Sequence, residues 1–173
     1  RAVSAKDPGR LLELCRTGQF GHLPKVYFLT QAAKLLAPAE NEKGLTLIDS
    51  AATEARRIGG LDPDSARAFF AVANAMLVVN RAAVWEAMSD AIKASNSADG
   101  FGGEDGQLNF DITTKEVSYS STEIVPDFDV DKTFGKLAAF DYDRSVELAQ
   151  GLSRDAPRAR ATIAMARVIL SET

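Results

Sequence analysis

Apolar residues recur at three- and four-residue steps through most of this chain. Leu45, Ile48, Ala52 and Ala55 keep that spacing, as do Ala68, Val72, Ala75 and Val79, and Val84, Met88, Ala91 and Ile92. Near the end, Ile163, Ala166 and Leu170 fall on one helical face. This rhythm matches the period of an α-helix and predicts amphipathic helices. Asp7-Pro8 and Asp62-Pro63 mark two starts. The acid accepts free backbone N–H groups, and proline loses nothing at the first helical position, where its missing donor has no partner anyway. Asp141 and Asp155 fit further caps, and Gly18 and Gly59-Gly60 fit helix stops. The pattern predicts helices over 8–17, 23–37, 40–58, 63–79, 82–96, 131–139, 142–152 and 156–171. The breaks are short, so consecutive helices should pack as antiparallel hairpins.

One stretch, 97–130, breaks this rhythm. Leu108, Phe110 and Ile112 alternate with Asn109, Asp111 and Thr113. After "TTKE", Val117 and Tyr119 alternate with Ser118 and Ser120. Period two on both sides of a four-residue turn predicts a β-hairpin with one apolar face. A lone two-stranded hairpin is marginal in water, so that face should lie on the helices or on a partner. Gly100, Gly102, Gly103 and Gly106 read as a flexible approach with Phe101 as its anchor. Long connections in compact domains tend to be functional or disordered. The candidate binding residues are therefore Phe101, Leu108, Phe110, Ile112, Val117 and Tyr119.

Two segment pairs are alike. "DPDSARAFFAVANAML" from Asp62 and "DAPRARATIAMARVIL" from Asp155 share seven identities in sixteen positions, four of them alanine. "LAPAENEKGLTL" from Leu36 is similar to "LAAFDYDRSVEL" from Leu137, each opening a helix with an acid-x-acid-base group. Small residues at fixed positions let helices approach closely, with Phe69, Phe70 and Trp85 filling gaps between layers. The chain resembles the helical-hairpin repeat class, the tetratricopeptide and HEAT-like α-solenoids. It departs from the tetratricopeptide pattern of Trp, Gly, Tyr and Pro at set spacing, and its unit is longer than 34 residues. The tail "RARATIAMARVILSE" loosely resembles the ends of bacterial, often exported, helical-repeat proteins. These resemblances imply a fold and export, and no catalytic residues. The expected fold is mostly α: stacked antiparallel helical hairpins, one helical-repeat domain over 1–173, with 97–130 as an acidic, glycine-rich insert.

Charge sharpens the picture. Residues 99–131 hold nine acids and one base, Lys115, or −8. The whole chain is −4, so the rest carries −4 less −8, or +4. An acidic insert repels phosphates, and the body lacks a dense Lys/Arg stripe, so no nucleic-acid partner is expected. No apolar run reaches the 18 or more residues of a membrane span. One Cys and one His rule out a disulfide framework and any site needing two of either. The lone cysteine fits either redox compartment and leaves localisation open.

Candidate chemistry is thin. Asp127, Asp129 and Asp131 alternate like the opening of a calcium loop, but Lys132 and Ala138 stand where an EF-hand needs Gly and Glu. Asp129 or Asp131 capping the next helix is the simpler account. Cys15 and His22 could form a thiol–imidazole pair, yet no third group marks one; a buried small residue and a loop histidine are expected instead. Arg56, Arg57, Arg154, Arg158, Arg160 and Arg167 would make a basic groove only if their helices were neighbours. Tyr142 and Arg144 read as a solvated helix start. No cofactor is expected. The expected function is a non-catalytic protein-interaction or scaffold domain. The alternatives are a self-assembling structural subunit and, last, a metal-dependent enzyme using the insert's carboxylates.

Overall fold

A computed structural model of the chain describes residues 7–104, 106–113 and 118–171, with 110–113 and 118–121 described through their backbone alone. The helices are α1 (Pro8–Thr17), α2 (His22–Leu36), α3 (Asn41–Ala55), α4 (Pro63–Val79), α5 (Val84–Ser97), α6 (Val130–Ala138), α7 (Tyr142–Gln150) and α8 (Asp155–Ser171). Strands β1 (Gly106–Thr113) and β2 (Ser118–Val125) form a two-stranded antiparallel sheet between α5 and α6. The fold is mostly α, with adjacent helices stacked on one another and one inserted β-hairpin.

The expected caps form where the chemistry is complete. Asp7 accepts from the Arg10 N–H at 3.0 Å, Asp62 from Asp64 at 2.9 Å and Asp141 from Arg144 at 3.1 Å. Asp155 differs: it is already the first residue of α8 and sits in the first turn, where a negative charge suits the helix dipole. Gly59-Gly60 does not stop α3, which ends at Ala55 with Arg56 still in helical geometry.

Pro8 and Pro63 open α1 and α4, as their fixed φ favours. α4 is the central helix and packs against α2, α3, α5 and α6. Its Ala66, Phe70, Ala73 and Leu77 join α5 in one core; its Ala68, Ala71, Val72, Ala75 and Val79 join α1, α2 and α3 in a second. Alanines on both faces let neighbours come close, and Phe70, fully buried, fills the space left.

The two alike sequence segments also close alike. Between α2 and α3, Ala39 N–H and Glu40 N–H both donate to Leu36 O, at 3.0 and 2.8 Å, and Gly44 N–H donates to Glu40 O at 3.1 Å. Between α6 and α7, Phe140 and Asp141 donate to Leu137 O at 2.9 and 2.8 Å, and Ser145 donates to Asp141 O at 3.1 Å. The equivalent residues Gly44 and Ser145 are both buried. α2, α3 and α4 contact one another pairwise, and α6, α7 and α8 do the same.

Two expectations need correction. Gly103 and Gly106 are held by close packing and do not serve as a flexible approach. Gly103, at φ +77°, is buried, and its carbonyl accepts from Val130 N–H at 3.2 Å. A Cβ on Gly106 would lie 2.2 Å from Phe128 Cδ2, so glycine is needed there for close approach rather than freedom. The stripe Ile163, Ala166 and Leu170 is also not the inward face of α8. Pro157, Ala161, Ala164 and Met165 turn inward, while Ile163 is 51% and Leu170 76% exposed.

Candidate functional site

The hairpin leaves the helical body from a root built on Asp127. β2 ends at Val125, and one turn of 3-10 helix (Pro126–Phe128) follows it. That turn carries Asp127 into a gap between α2, α4 and α6. The Asp127 carboxylate receives Lys34 of α2 as an ion pair, Gln31 Nε2 at 3.0 Å and Lys136 Nζ of α6 at 3.2 Å. Lys136 also donates to Asn74 Oδ1 at 2.8 Å, which fixes the orientation of that amide. Asn74, at the middle of α4, then shares its two Nδ2 hydrogens among Phe70 O at 3.1 Å, Asp127 O at 3.0 Å and Thr133 Oγ1 at 2.6 Å. Thr133 in turn donates to Asp129 O at 2.7 Å.

Burial alone pushes the Asp127 pKa up. The charges of Lys34 and Lys136 and the hydrogen bonds of Lys34 and Gln31 overcome it and hold the carboxyl below its ordinary value. Burial lowers the Lys34 pKa and outweighs the charge and hydrogen bond of Asp127, which raise it. Beside it, Tyr27 donates to Glu123 Oε1 at 3.1 Å. Burial first, then the Glu123 charge, raises that phenol and keeps it protonated.

An apolar layer lies under this network. Leu108, Val125 and Phe128 are buried in the core that Val26, Tyr27 and Val72 share, and Tyr27 meets Phe128 edge-on at 6.1 Å. Each such side chain contributes about 1.5–3 kcal/mol by leaving water. Asp129 accepts from Gly106 N–H at 3.2 Å and so ties the first residue of β1 to the start of α6.

The expected binding residues therefore divide. Phe101 is buried and stacks on Phe70 at 6.0 Å, and Leu108 is buried as well; both anchor the insert. Phe110 and Ile112 occupy register positions opposite Ser121 and Tyr119. Val117 and the turn lie outside the described residues. Ile124, on β2, is 61% exposed.

The aspartate series also divides. Asp127 is neutralised by lysines, Asp129 binds the hairpin root, and Asp131 lies in the first turn of α6. Asp129 takes the N-cap position of α6 without a side-chain cap hydrogen bond, so the capping expected of it is not made. No group of three or more His, Cys, Asp or Glu could hold a metal ion among the described residues.

Nor do the other candidates assemble. Cys15 Sγ lies 3.9 Å from Lys25 O, while His22 Nδ1 faces Glu54 Oε2 at 2.8 Å, so the two do not pair. Burial pushes the Cys15 thiol up to about 11, with Lys25 opposing and Glu54 adding to the shift. The arginines do not form an open basic groove either. Arg154 meets Asp99 and Arg160 meets Glu104, both at 3.5 Å, and Arg158 binds Leu152 and Ser153 carbonyls. Arg57 pairs with Glu54, and Arg56 reaches Asp90 at 3.9 Å. Three of the insert's nine acids, Asp99, Glu104 and Asp127, thus pair with bases of the body.

One feature escaped the sequence reading. The Arg144 guanidinium lies 4.5 Å over Trp85, which stacks on Phe140 at 5.9 Å, and Arg81 covers Phe140 at 5.5 Å. This ladder borders an open cleft of about 490 Å³ lined by Trp85, Glu86, Ser89, Arg144, Glu147 and Leu148. No sequence signal links residues from three elements so far apart.

No family model, curated protein or solved structure matches this chain. No helix is long and apolar enough to cross a membrane among the described residues.

Proposed function

We propose that the chain is a non-catalytic protein-interaction domain that displays the outer part of its hairpin, residues 110–121, to an extended segment of a partner protein. The observation that carries the reading is the Asp127 root. Three helices join in holding the base of an insert whose sheet has only two strands. A two-stranded sheet has two edges, and edge pairing with an added strand is a common mode of peptide recognition. Ordering the root before binding lowers the entropy cost of association. The helical-hairpin repeat class, tetratricopeptide or HEAT-like, is proposed as the architectural parent. The matching turns between α2 and α3 and between α6 and α7 support it.

The test must spare the root. Replacing residues 99–128 entirely would remove Phe101, Leu108, Val125, Phe128 and Asp127 and unfold the body. The better variant replaces 110–121 with Asn-Gly, a two-residue turn that joins Asn109 to Thr122, its cross-strand neighbour. Both proteins serve as bait in extract from the source organism, and captured proteins are identified by mass spectrometry. The expected result is a folded variant that loses a partner the intact protein captures. Identical captures overturn the reading. A mass that rises with concentration only in the intact protein would assign the hairpin to self-assembly instead.

A further inference from the structure

The exposed stripe on α8 has a covered counterpart inside the same molecule. Aligning Asp155 with Asp62 places Ala159, Ile163, Ala166 and Leu170 on Ala66, Phe70, Ala73 and Leu77 of α4. The other faces correspond too: Ala161, Ala164 and Met165, buried in α8, fall on Ala68, Ala71 and Val72, buried in α4. In α4 both faces are covered. Its Ala66–Phe70–Ala73–Leu77 face packs in one core with Val84, Trp85, Met88, Ala91 and Ile92 of α5. Among the described residues, the helices packed against α8 are α6 and α7, and they meet its Pro157–Ala161–Ala164–Met165 face. Its second face carries the same small-large-small-large order and is open to water. Apolar surface arranged this way favours a helix laid along it.

The charges beside the stripe narrow the occupant. Arg160 and Arg167 lie one position round the helix from Ile163, where α4 has Arg67 and Asn74. Arg160 is already met by Glu104, whereas Arg167 has no acidic partner among the described residues. A second copy of α8 laid antiparallel about the middle of the stripe would set Arg167 beside Arg160 of the other copy.

We propose that the Ala159–Ile163–Ala166–Leu170 face of α8 docks an amphipathic partner helix of the α5 kind. That helix carries bulky apolar residues at the spacing of Val84, Trp85, Met88, Ala91 and Ile92. This surface is separate from the hairpin, so failure of the hairpin experiment leaves it standing.

The probe is a labelled, acetylated peptide copying residues 81–97, followed by fluorescence anisotropy against the intact protein. Saturable binding is expected. It should weaken at least tenfold in the double variant Ile163→Ser/Leu170→Ser, whose thermal midpoint should hold because both side chains face water. A peptide bearing Trp85→Ser/Met88→Ser should not bind. Absence of saturation, or binding indifferent to the double variant, overturns the proposal. So does a concentration-dependent dimer of the peptide-free protein that the double variant abolishes, which would give the stripe to a second copy.

Discussion

The side-chain nitrogen of Asn74 donates to the main-chain oxygen of Asp127 at 3.0 Å, so the middle of the central helix holds the root of the hairpin. A buried asparagine inside the run Ala68 to Val79, otherwise alanine and larger apolar residues, is costly unless its polar atoms are satisfied. Here they are, on both sides of the amide.

Asn74→Ala should therefore cost about 2 kcal/mol, because it removes the amide that accepts from Lys136 and donates to the Asp127 carbonyl and the Thr133 hydroxyl. At this chain length that corresponds to a fall in thermal midpoint of roughly 4–8 °C. Differential scanning calorimetry measures it. A change under a degree would mean the network stabilises nothing.

The Asp127 carboxyl gives a pH signature. Its folded pKa lies below the ordinary 3.8, so the stability it contributes is present above 3.8 and is lost as pH falls through the folded value. Thermal midpoints of the parent protein and Asp127→Asn, taken from pH 7 downward, should differ most at neutral pH and converge on the acid side. A constant gap would show that the ion pairs carry no net stabilisation.

Gly106→Ala should destabilise by about 1–3 kcal/mol through overpacking against Phe128. Adding Phe128→Leu should recover part of that loss, because the two side chains share one space. Urea unfolding of the two single variants and the double variant closes the cycle. Strict additivity would disprove the contact.

The Cys15 thiol, raised to about 11 against an ordinary 9.0, should react slowly. Alkylation by iodoacetamide at pH 8 should run roughly a hundredfold slower in the folded protein than in urea, following the fall in thiolate. The linkage has a sign: an acid whose folded pKa is raised loses stabilisation as pH climbs from 9 toward 11. Stability of the parent relative to Cys15→Ser should fall across that window.

The helices were legible because capping is local chemistry. Asp62-Pro63 and Asp141 act on backbone a few residues away, and the apolar rhythm of α4 and α5 repeats within two turns. The hairpin was legible for the same reason, through alternation at Leu108, Phe110 and Ile112. Which face of α8 turns inward was not, since Ile163 and Leu170 are more apolar than the Ala161 and Ala164 that the core selects by size. The root was not legible either. Lys34, Asn74, Asp127 and Lys136 look like four unrelated polar residues until the chain brings them together. Glycine carries opposite meanings in sequence, freedom or close approach, and the ring of Phe128 against Gly106 decides between them.

The root also bears on the order in which the chain folds. Within α2–α3–α4 and within α6–α7–α8 the contacting helices are near neighbours in sequence, and such contacts close short loops. Lys34 and Gln31 reach Asp127 across 93 and 96 residues. Closing a loop of that length carries a larger entropic barrier, and long-range contacts slow folding. Each helical triplet can gather first, and the aspartate clasps them afterwards, so docking of the hairpin marks the end of folding rather than its nucleus.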